Sequence, residues 1–282
     1  MADGIAFLKG HGTENDFVLL PDADGSKGPP SAQLVQAMYD RHAGIGADGV
    51  IRVVRTDAAD DPVATAALGE AEWFMDYRNA DGSLSEMCGN GVRVLGRYLV
   101  ELEGADPSRP LPIATRAGVK VLAFEDDLIT VDMGSPSVLG ETEVVVEGRS
   151  WPATHIDMGN PHAVAFVDDL SSLSPAGQLL VAPSYDEAVY PDGVNVELVV
   201  RRGPGQVAMR VHERGSGETR SCGTGACAVM VATAVADGAG RGTSYDVELP
   251  GGTLHITWTD DDRIVMTGPA VLVAEGKWFA GR

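Results

Sequence analysis

The chain predicts a mixed α/β (α+β) protein built as two pseudo-symmetric halves, and two observations carry that expectation. Short runs of β-branched and alternating apolar residues outnumber convincing helices along the whole sequence. One phrase also occurs twice, as Met87-Cys88-Gly89-Asn90-Gly91 and Ser221-Cys222-Gly223-Thr224-Gly225, each time followed by an apolar run that reads as a helix. The copies lie about half the chain apart, and Asn79 precedes Cys88 by the same interval as Glu213 precedes Cys222. An internal duplication is the simplest reading. It implies two similar α/β halves facing each other across a cleft, each wall carrying one thiol. A composition shift at Met133-Gly134-Ser135-Pro136 sets the expected boundary, with residues 1–133 in the N-terminal half and 134–270 in the C-terminal half.

In the first half, strands are expected at Ile5 to Leu8, Phe17 to Leu20, Gly49 to Arg55, Glu72 to Arg78, Val119 to Phe124 and Leu128 to Met133. A helix fits Ser31 to Arg41, with Pro29 and Pro30 before it and Gly44 after it. The next begins at Cys88, carries Val92, Leu95 and Leu99 on one face, and ends at Gly104 and Pro107. The second half repeats the order. Strands fit His155 to Met158, Ala163 to Val167, Val194 to Val200 and Val207 to Glu213, with a helix from Leu170 to Val181. The segment after Cys222 is apolar almost all round, as a helix wrapped by protein would be. Strands at Tyr245 to Leu249, Thr253 to Trp258, Arg263 to Met266 and Val271 to Ala274 complete the chain.

Composition narrows the function classes. Of the 282 residues 44% are hydrophobic, enough for a sizeable core. Acidic residues number 41 against 21 basic ones, a formal charge of −20, which argues against nucleic-acid or anionic-membrane partners. Met1 to Gly10 lacks a basic segment followed by an apolar one, so no signal peptide is expected. The apolar stretch Ala226 to Ala236 is too short for a bilayer that needs about 20 residues. Three cysteines, an odd number, suit a reducing cytoplasm.

Both recurring cysteines open a helix, where unpaired N–H groups and the helix dipole favour a thiolate. The adjacent glycines let a ligand approach the backbone, whose N–H groups can bind a carboxylate. A zinc site does not fit, because Cys222 and Cys227 are five residues apart on a helix and point to different faces. A redox disulfide between Cys88 and Cys222 remains open, as does a nucleophilic cysteine served by His162. Racemisation uses both matched helix starts: one sulfur removes a proton from one face of a carbon centre and the other returns a proton to the opposite face. The helix N-termini would stabilise the carbanion through its carboxylate.

Five motifs in chain order resemble the diaminopimelate epimerase family: His11-Gly12-Thr13-Glu14-Asn15-Asp16-Phe17, Asn79-Ala80-Asp81-Gly82-Ser83, Met87 to Gly91, Gly159-Asn160-Pro161-His162, and Glu213-Arg214 through Gly225. The resemblance spans nearly the whole chain. It implies an enzyme that interconverts LL- and meso-diaminopimelate without pyridoxal phosphate or another cofactor, on the route to lysine and cell-wall peptide. It also implies a homodimer, and two pseudo-symmetric domains, each a β-sheet wrapped around a central helix, with the site between them and the last strand, 271–282, returned to the first domain. By position, Cys88 and Cys222 would be the acid/base pair. Asn15, Asn79, Asn160, Asn195 and Arg214 would contact substrate, the last four at its distal carboxylate, where a guanidinium fork and neutral amides suit the ligand. Gly89, Asn90, Gly223 and Thr224 would hold the reacting carboxylate. Glu213 would meet the α-ammonium and, with His162, help set the protonation of the thiols.

Two departures stand out. Many relatives carry Gln where Gly49 stands, so that contact is not carried over, whereas Thr224 in place of the common Ser keeps the backbone N–H. Cys227, Val92, Leu95, Val229 and Met230 read as core. The rival readings are a proline or hydroxyproline racemase of the same fold and, in a different class, a thiol switch or binding protein using Cys88 and Cys222.

Overall fold

A computed structural model describes residues 4–171, 179 and 181–279. The chain divides into two compact units, Met1–Val131 with Pro269–Arg282, and Asp132–Gly268. The strands in chain order are β1 (Ile5–Gly12), β2 (Asn15–Pro21), β3 (Gly49–Arg55), β4 (Trp73–Asn79), β5 (Leu111–Thr115), β6 (Gly118–Glu125) and β7 (Leu128–Gly134). They continue with β8 (Ser137–Val146), β9 (Arg149–Asp157), β10 (Pro161–Phe166), β11 (Ser184–Tyr185), β12 (Asn195–Gly203), β13 (Gln206–Glu213), β14 (Gly217–Thr219), β15 (Thr243–Leu249), β16 (Gly252–Trp258), β17 (Ile264–Pro269) and β18 (Val271–Trp278). Among the described residues four α-helices accompany them: α1 (Ala32–Tyr39), α2 (Pro62–Ala66), α3 (Gly89–Leu102) and α4 (Gly223–Ala236).

The units repeat one pattern of strand pairing. In the N-terminal unit the order is β18-β1-β2-β3-β4-β5-β6-β7, antiparallel throughout except for the parallel pairs β2–β3 and β4–β5. In the C-terminal unit it is β8-β9-β10-β12-β13-β15-β16-β17, with parallel pairs at the matching places, β10–β12 and β13–β15. Register extends the match to single residues. Phe17 pairs with Gly49 and His162 with Asn195. Gly49 pairs with Asn79, and the Val196–His212 pair places Asn195 opposite Glu213. Phe17 and His162, Gly49 and Asn195, Ile51 and Glu197, and Asn79 and Glu213 are therefore equivalent positions.

Each unit closes its sheet over its own helix. α3 packs against β1, β2, β3 and β18, and α4 against β9, β10, β12, β13, β15 and β16. The apolar composition of α4 has the expected result, since Gly223 and Gly225 to Ala234 are all buried. α3 buries Val92, Val94, Leu95, Tyr98 and Leu99, and also the whole side chain of Arg93. Local chemistry sets the helix starts. Ser31 caps α1 through its hydroxyl, 3.2 Å from the Leu34 N–H, and Asp61 caps α2 ahead of Pro62.

Several elements differ from the sequence reading. Strands β5 and β8 and the short helix α2 were not expected. Pro112 interrupts the apolar signal of β5, and most of the first half of β8 is solvent-exposed, so neither shows a clean strand pattern. The helix expected from Leu170 to Val181 falls mostly on residues 172–178 and 180, outside the described residues.

Candidate active site

In the N-terminal unit the site is built on the β1–β2 hairpin and the start of α3. Thr13 and Glu14 form the two-residue turn with φ of 48° and 61°, left-handed conformations that non-glycine residues adopt at a cost of about 1–2 kcal/mol each. The turn delivers Asn15 to the start of α3. Asn15 Oδ1 receives bonds from Cys88 Sγ at 3.6 Å and from Asn90 Nδ2 at 3.2 Å, while its Nδ2 donates to Asp48 Oδ2 at 2.8 Å. Asn90 in turn accepts from the buried Arg93 guanidinium at 2.6 Å. Gly12 is small because Arg93 lies there: a Cβ at residue 12 would sit 2.9 Å from Nη2. Asn15 and Asn90, both read as substrate contacts, thus also fix the first turn around Cys88. Asn79 bonds Ser83 Oγ within its own loop.

The missing side chain at Gly49 has a structural cause. A Cβ there would lie 2.5 Å from the Tyr77 ring, which packs edge-on to Phe17 and fills the space. Asp48 sits beside it, paired with Arg41 at 2.7 Å. Burial and the neighbouring Asp16 carboxylate push the Asp48 carboxyl up.

In the C-terminal unit, Cys222 caps α4 with extended backbone and accepts from the Gly225 N–H at 3.4 Å. Thr224 Oγ1 is 3.6 Å from the same sulfur and 3.4 Å from Asn160 Nδ2. His162 is wholly buried. Its ring nitrogens are taken by Glu197 Oε1 at 2.7 Å and Asn160 Oδ1 at 3.1 Å rather than by a thiol. Glu213 accepts from the Thr219 hydroxyl. Asn195 accepts from the Arg214 backbone N–H at 3.0 Å and donates to the Pro161 carbonyl at 3.1 Å, so it ties two loops together. The Arg214 side chain is exposed and donates to the Asp192 carbonyl at 3.1 Å. Gly193, at φ 85°, makes room for its methylene stem.

One expectation is corrected. The helix start was expected to lower both thiols toward neutral ionisation, yet the Cys222 thiol lies well above its ordinary value. Burial comes first, followed by the Glu213 and Glu197 carboxylates, and together they outweigh the Thr224 hydroxyl and the Gly225 N–H. Sequence reasoning missed Glu197, Asp48, Arg93 and Tyr77. A signal existed for Glu197: a carboxylate inside the run Val194-Asn195-Val196-Glu197-Leu198-Val199-Val200, on the same strand face as Asn195.

Known proteins share both the sequence and the architecture. The sequence profile described as diaminopimelate epimerase matches residues 7–139 and 154–273. The chain belongs to the diaminopimelate epimerase family. Within it, the chain is 57% identical to the diaminopimelate epimerase of Streptomyces coelicolor, covering 100% of this chain and 99% of that one. The Mycolicibacterium smegmatis diaminopimelate epimerase is 45% identical, over 97% and 96%. Among solved structures, a hydroxyproline epimerase from Agrobacterium vitis superposes with a TM-score of 0.69 at 16% identity, covering 98% of this chain and 93% of that chain. Membership of the family agrees with the paired α/β architecture, and the last relationship concerns the fold alone.

Proposed function

We propose that the chain is a cofactor-independent isomerase that interconverts LL-2,6-diaminopimelate and meso-2,6-diaminopimelate. Full-length membership of the family carries the reading, with a 57% identical relative bearing that name. The two thiols supply a chemistry for it. A thiolate takes the α-proton as the C–H electron pair moves into the carboxylate-stabilised carbanion, and the other thiol gives its own proton to the opposite face of that carbon. The enzyme is then left with the roles of its sulfurs exchanged. We assign Cys88 and Cys222 to these roles. A two-base reaction requires them to address opposite faces of one α-carbon.

The reacting carboxylate is assigned to the first-turn N–H groups of α3 and α4, at Gly89, Asn90, Gly223 and Thr224. Such groups have no acceptor within their own helix and carry the positive end of its dipole. Glu213 is assigned to the α-ammonium, and Asn79, Asn160, Asn195 and Arg214 to the distal carboxylate. His162 is assigned, with Glu213, to setting thiol protonation. We also infer a homodimer working in the cytoplasm on the route to lysine and cell-wall peptide. The three free thiols suit a reducing compartment, and no described helix is long and apolar enough to cross a membrane.

The test is to incubate the reduced protein with LL-diaminopimelate in deuterated water and follow α-deuteration and stereochemistry together. Deuterium is expected at the inverted centre. Turnover of proline or hydroxyproline without turnover of LL-diaminopimelate would overturn the substrate assignment. Absence of exchange at any amino-acid α-carbon would favour a thiol switch instead.

A further inference from the structure

A continuous line of polar contacts runs from the interior of the C-terminal unit to the sulfur of Cys222. Glu197 Oε1 lies 2.7 Å from His162 Nδ1, and His162 Nε2 lies 3.1 Å from Asn160 Oδ1. Asn160 Nδ2 then reaches Thr224 Oγ1 at 3.4 Å, and Thr224 Oγ1 is 3.6 Å from Cys222 Sγ. The donors and acceptors give this line a direction. An amide oxygen only accepts, so the hydrogen between His162 and Asn160 belongs to Nε2. An amide nitrogen only donates, so Thr224 receives that bond and its own hydrogen is left for the sulfur.

Glu197 stands at the head of the line. Both it and His162 are fully buried, at 0% side-chain exposure. Its second oxygen, Oε2, is buried without a hydrogen-bond partner among the described residues, so its hydrogen bonding rests on His162. A lone buried charge of either sign is costly, whereas a carboxylate against a ring that donates from both nitrogens is balanced. Glu197 also lies directly beneath the first turn of α4. A Cβ on Gly225 would be 2.7 Å from Oε1, which is why the second glycine of the Cys222 phrase must be small.

We propose that Glu197 is a positioning residue for Cys222: by accepting from Nδ1–H of His162 it fixes the direction of the His162–Asn160–Thr224 line, so that its last hydrogen is aimed at the sulfur. The proposal rests on the epimerase reading and deepens it. Cys222 must serve as a thiolate in one direction of the reaction, and the Thr224 hydroxyl is one of the two donors that support that form against burial and the carboxylates. Glu213 from β13 and Glu197 from β12 face the thiol, and His155 from β9 and Glu197 face His162. The equivalent places in the N-terminal unit hold Ile51 and Phe17, which can form no such line.

The experiment uses the full chain, labelled with 15N-histidine, without substrate at neutral pH. His162 is assigned from the signals lost in His162→Asn. In the wild type both ring nitrogens are expected to carry hydrogen. In Glu197→Gln the ring is expected to lose one of them at the same pH, and kcat to fall about 10- to 100-fold, the scale on which outer-shell partners act, with a much smaller change in KM. Glu197→Asp should recover part of both effects. A singly protonated ring with a bare Nε2 in the wild type would overturn the proposal, and this outcome does not depend on any variant folding. So would a Glu197→Gln protein whose His162 signals are unchanged. The ring spectrum is read on the resting protein, so a wrong substrate assignment would show in the turnover assay and leave this result standing.

Discussion

The starts of α3 and α4 share a backbone and differ in what lies beneath it. Both helices contain 14 residues and both are entered through an extended cysteine, with φ and ψ of −137° and 122° at Cys88 and −127° and 116° at Cys222. Under Gly91 the floor is Phe17, Ile51 and Met75. Under Gly225 it is the Glu197 carboxylate, bonded to His162. The two copies keep the same backbone at the helix start, while the side chains beneath it have diverged in charge. That combination suits a two-base reaction. In the proposed reaction one sulfur must hold a proton at the start of a turnover and the other must not.

The largest expected effect tests whether both copies act. Cys88→Ala and Cys222→Ala should each lower kcat for epimerisation by at least about 10²- to 10⁴-fold, the usual worth of a positioned acid or base. Circular dichroism should show an unchanged fold. Near-normal turnover in either variant would reduce the pair to a single functional thiol.

The next effect separates the two floors. Gly225→Ala puts a methyl against a carboxylate pinned by His162, so the first turn must shift, and a displacement near 1 Å can cost about 100-fold in kcat/KM. Gly91→Ala meets the terminal methyl of Met75 at 2.8 Å, a flexible group that can swing aside. Overpacking of this kind costs about 1–3 kcal/mol, visible as a lower Tm, with a smaller loss of activity than at Gly225. Equal activity losses in the two variants would mean that the floors do not differ in function.

A smaller effect concerns pH. Thr224→Val removes a donor that lowers the Cys222 ionisation, so the thiolate loses support and its titration should move to still higher pH. Thr224→Ser should restore it. The rate of iodoacetamide modification of Cys222 against pH, with Cys88 as internal reference, measures the shift. Movement to lower pH in Thr224→Val would show that the hydroxyl does not donate to the sulfur.

How much of this contrast the sequence carried depends on the level asked about. The repeated Cys-Gly-x-Gly phrases and the strand runs at Gly49 to Arg55 and Val207 to Glu213 were legible, because apolar periodicity and glycine placement are local signals. The packing of α4 was legible for the same reason. What lies under each helix was not. Phe17, Ile51, His162 and Glu197 come from strands far from the cysteines in sequence, and only the register of β2–β3 and β10–β12 brings them beneath the glycines. The ionisation of Cys222 was misjudged on the same account. A helix start is visible in one segment, but the burial and the two carboxylates that override it are contributed by other elements.

The smallest expected effect lies at a pair of equivalent helix positions, Arg93 and Cys227, to which no part in the chemistry is assigned. Cys227 falls five residues into the second phrase, as Arg93 falls five into the first, and both side chains are fully buried. Arg93 bonds Asn90 at 2.6 Å and so reaches the Cys88 turn, whereas Cys227 lies within the apolar face of α4. Cys227→Ala removes one sulfur from a packed interior. The loss is about 1 kcal/mol, the scale for deleting a single buried heavy group, and kcat, KM and the modification profile of Cys222 should all stay at wild-type values. A drop in turnover without a matching drop in Tm would give the third thiol a part in the chemistry and end its reading as core.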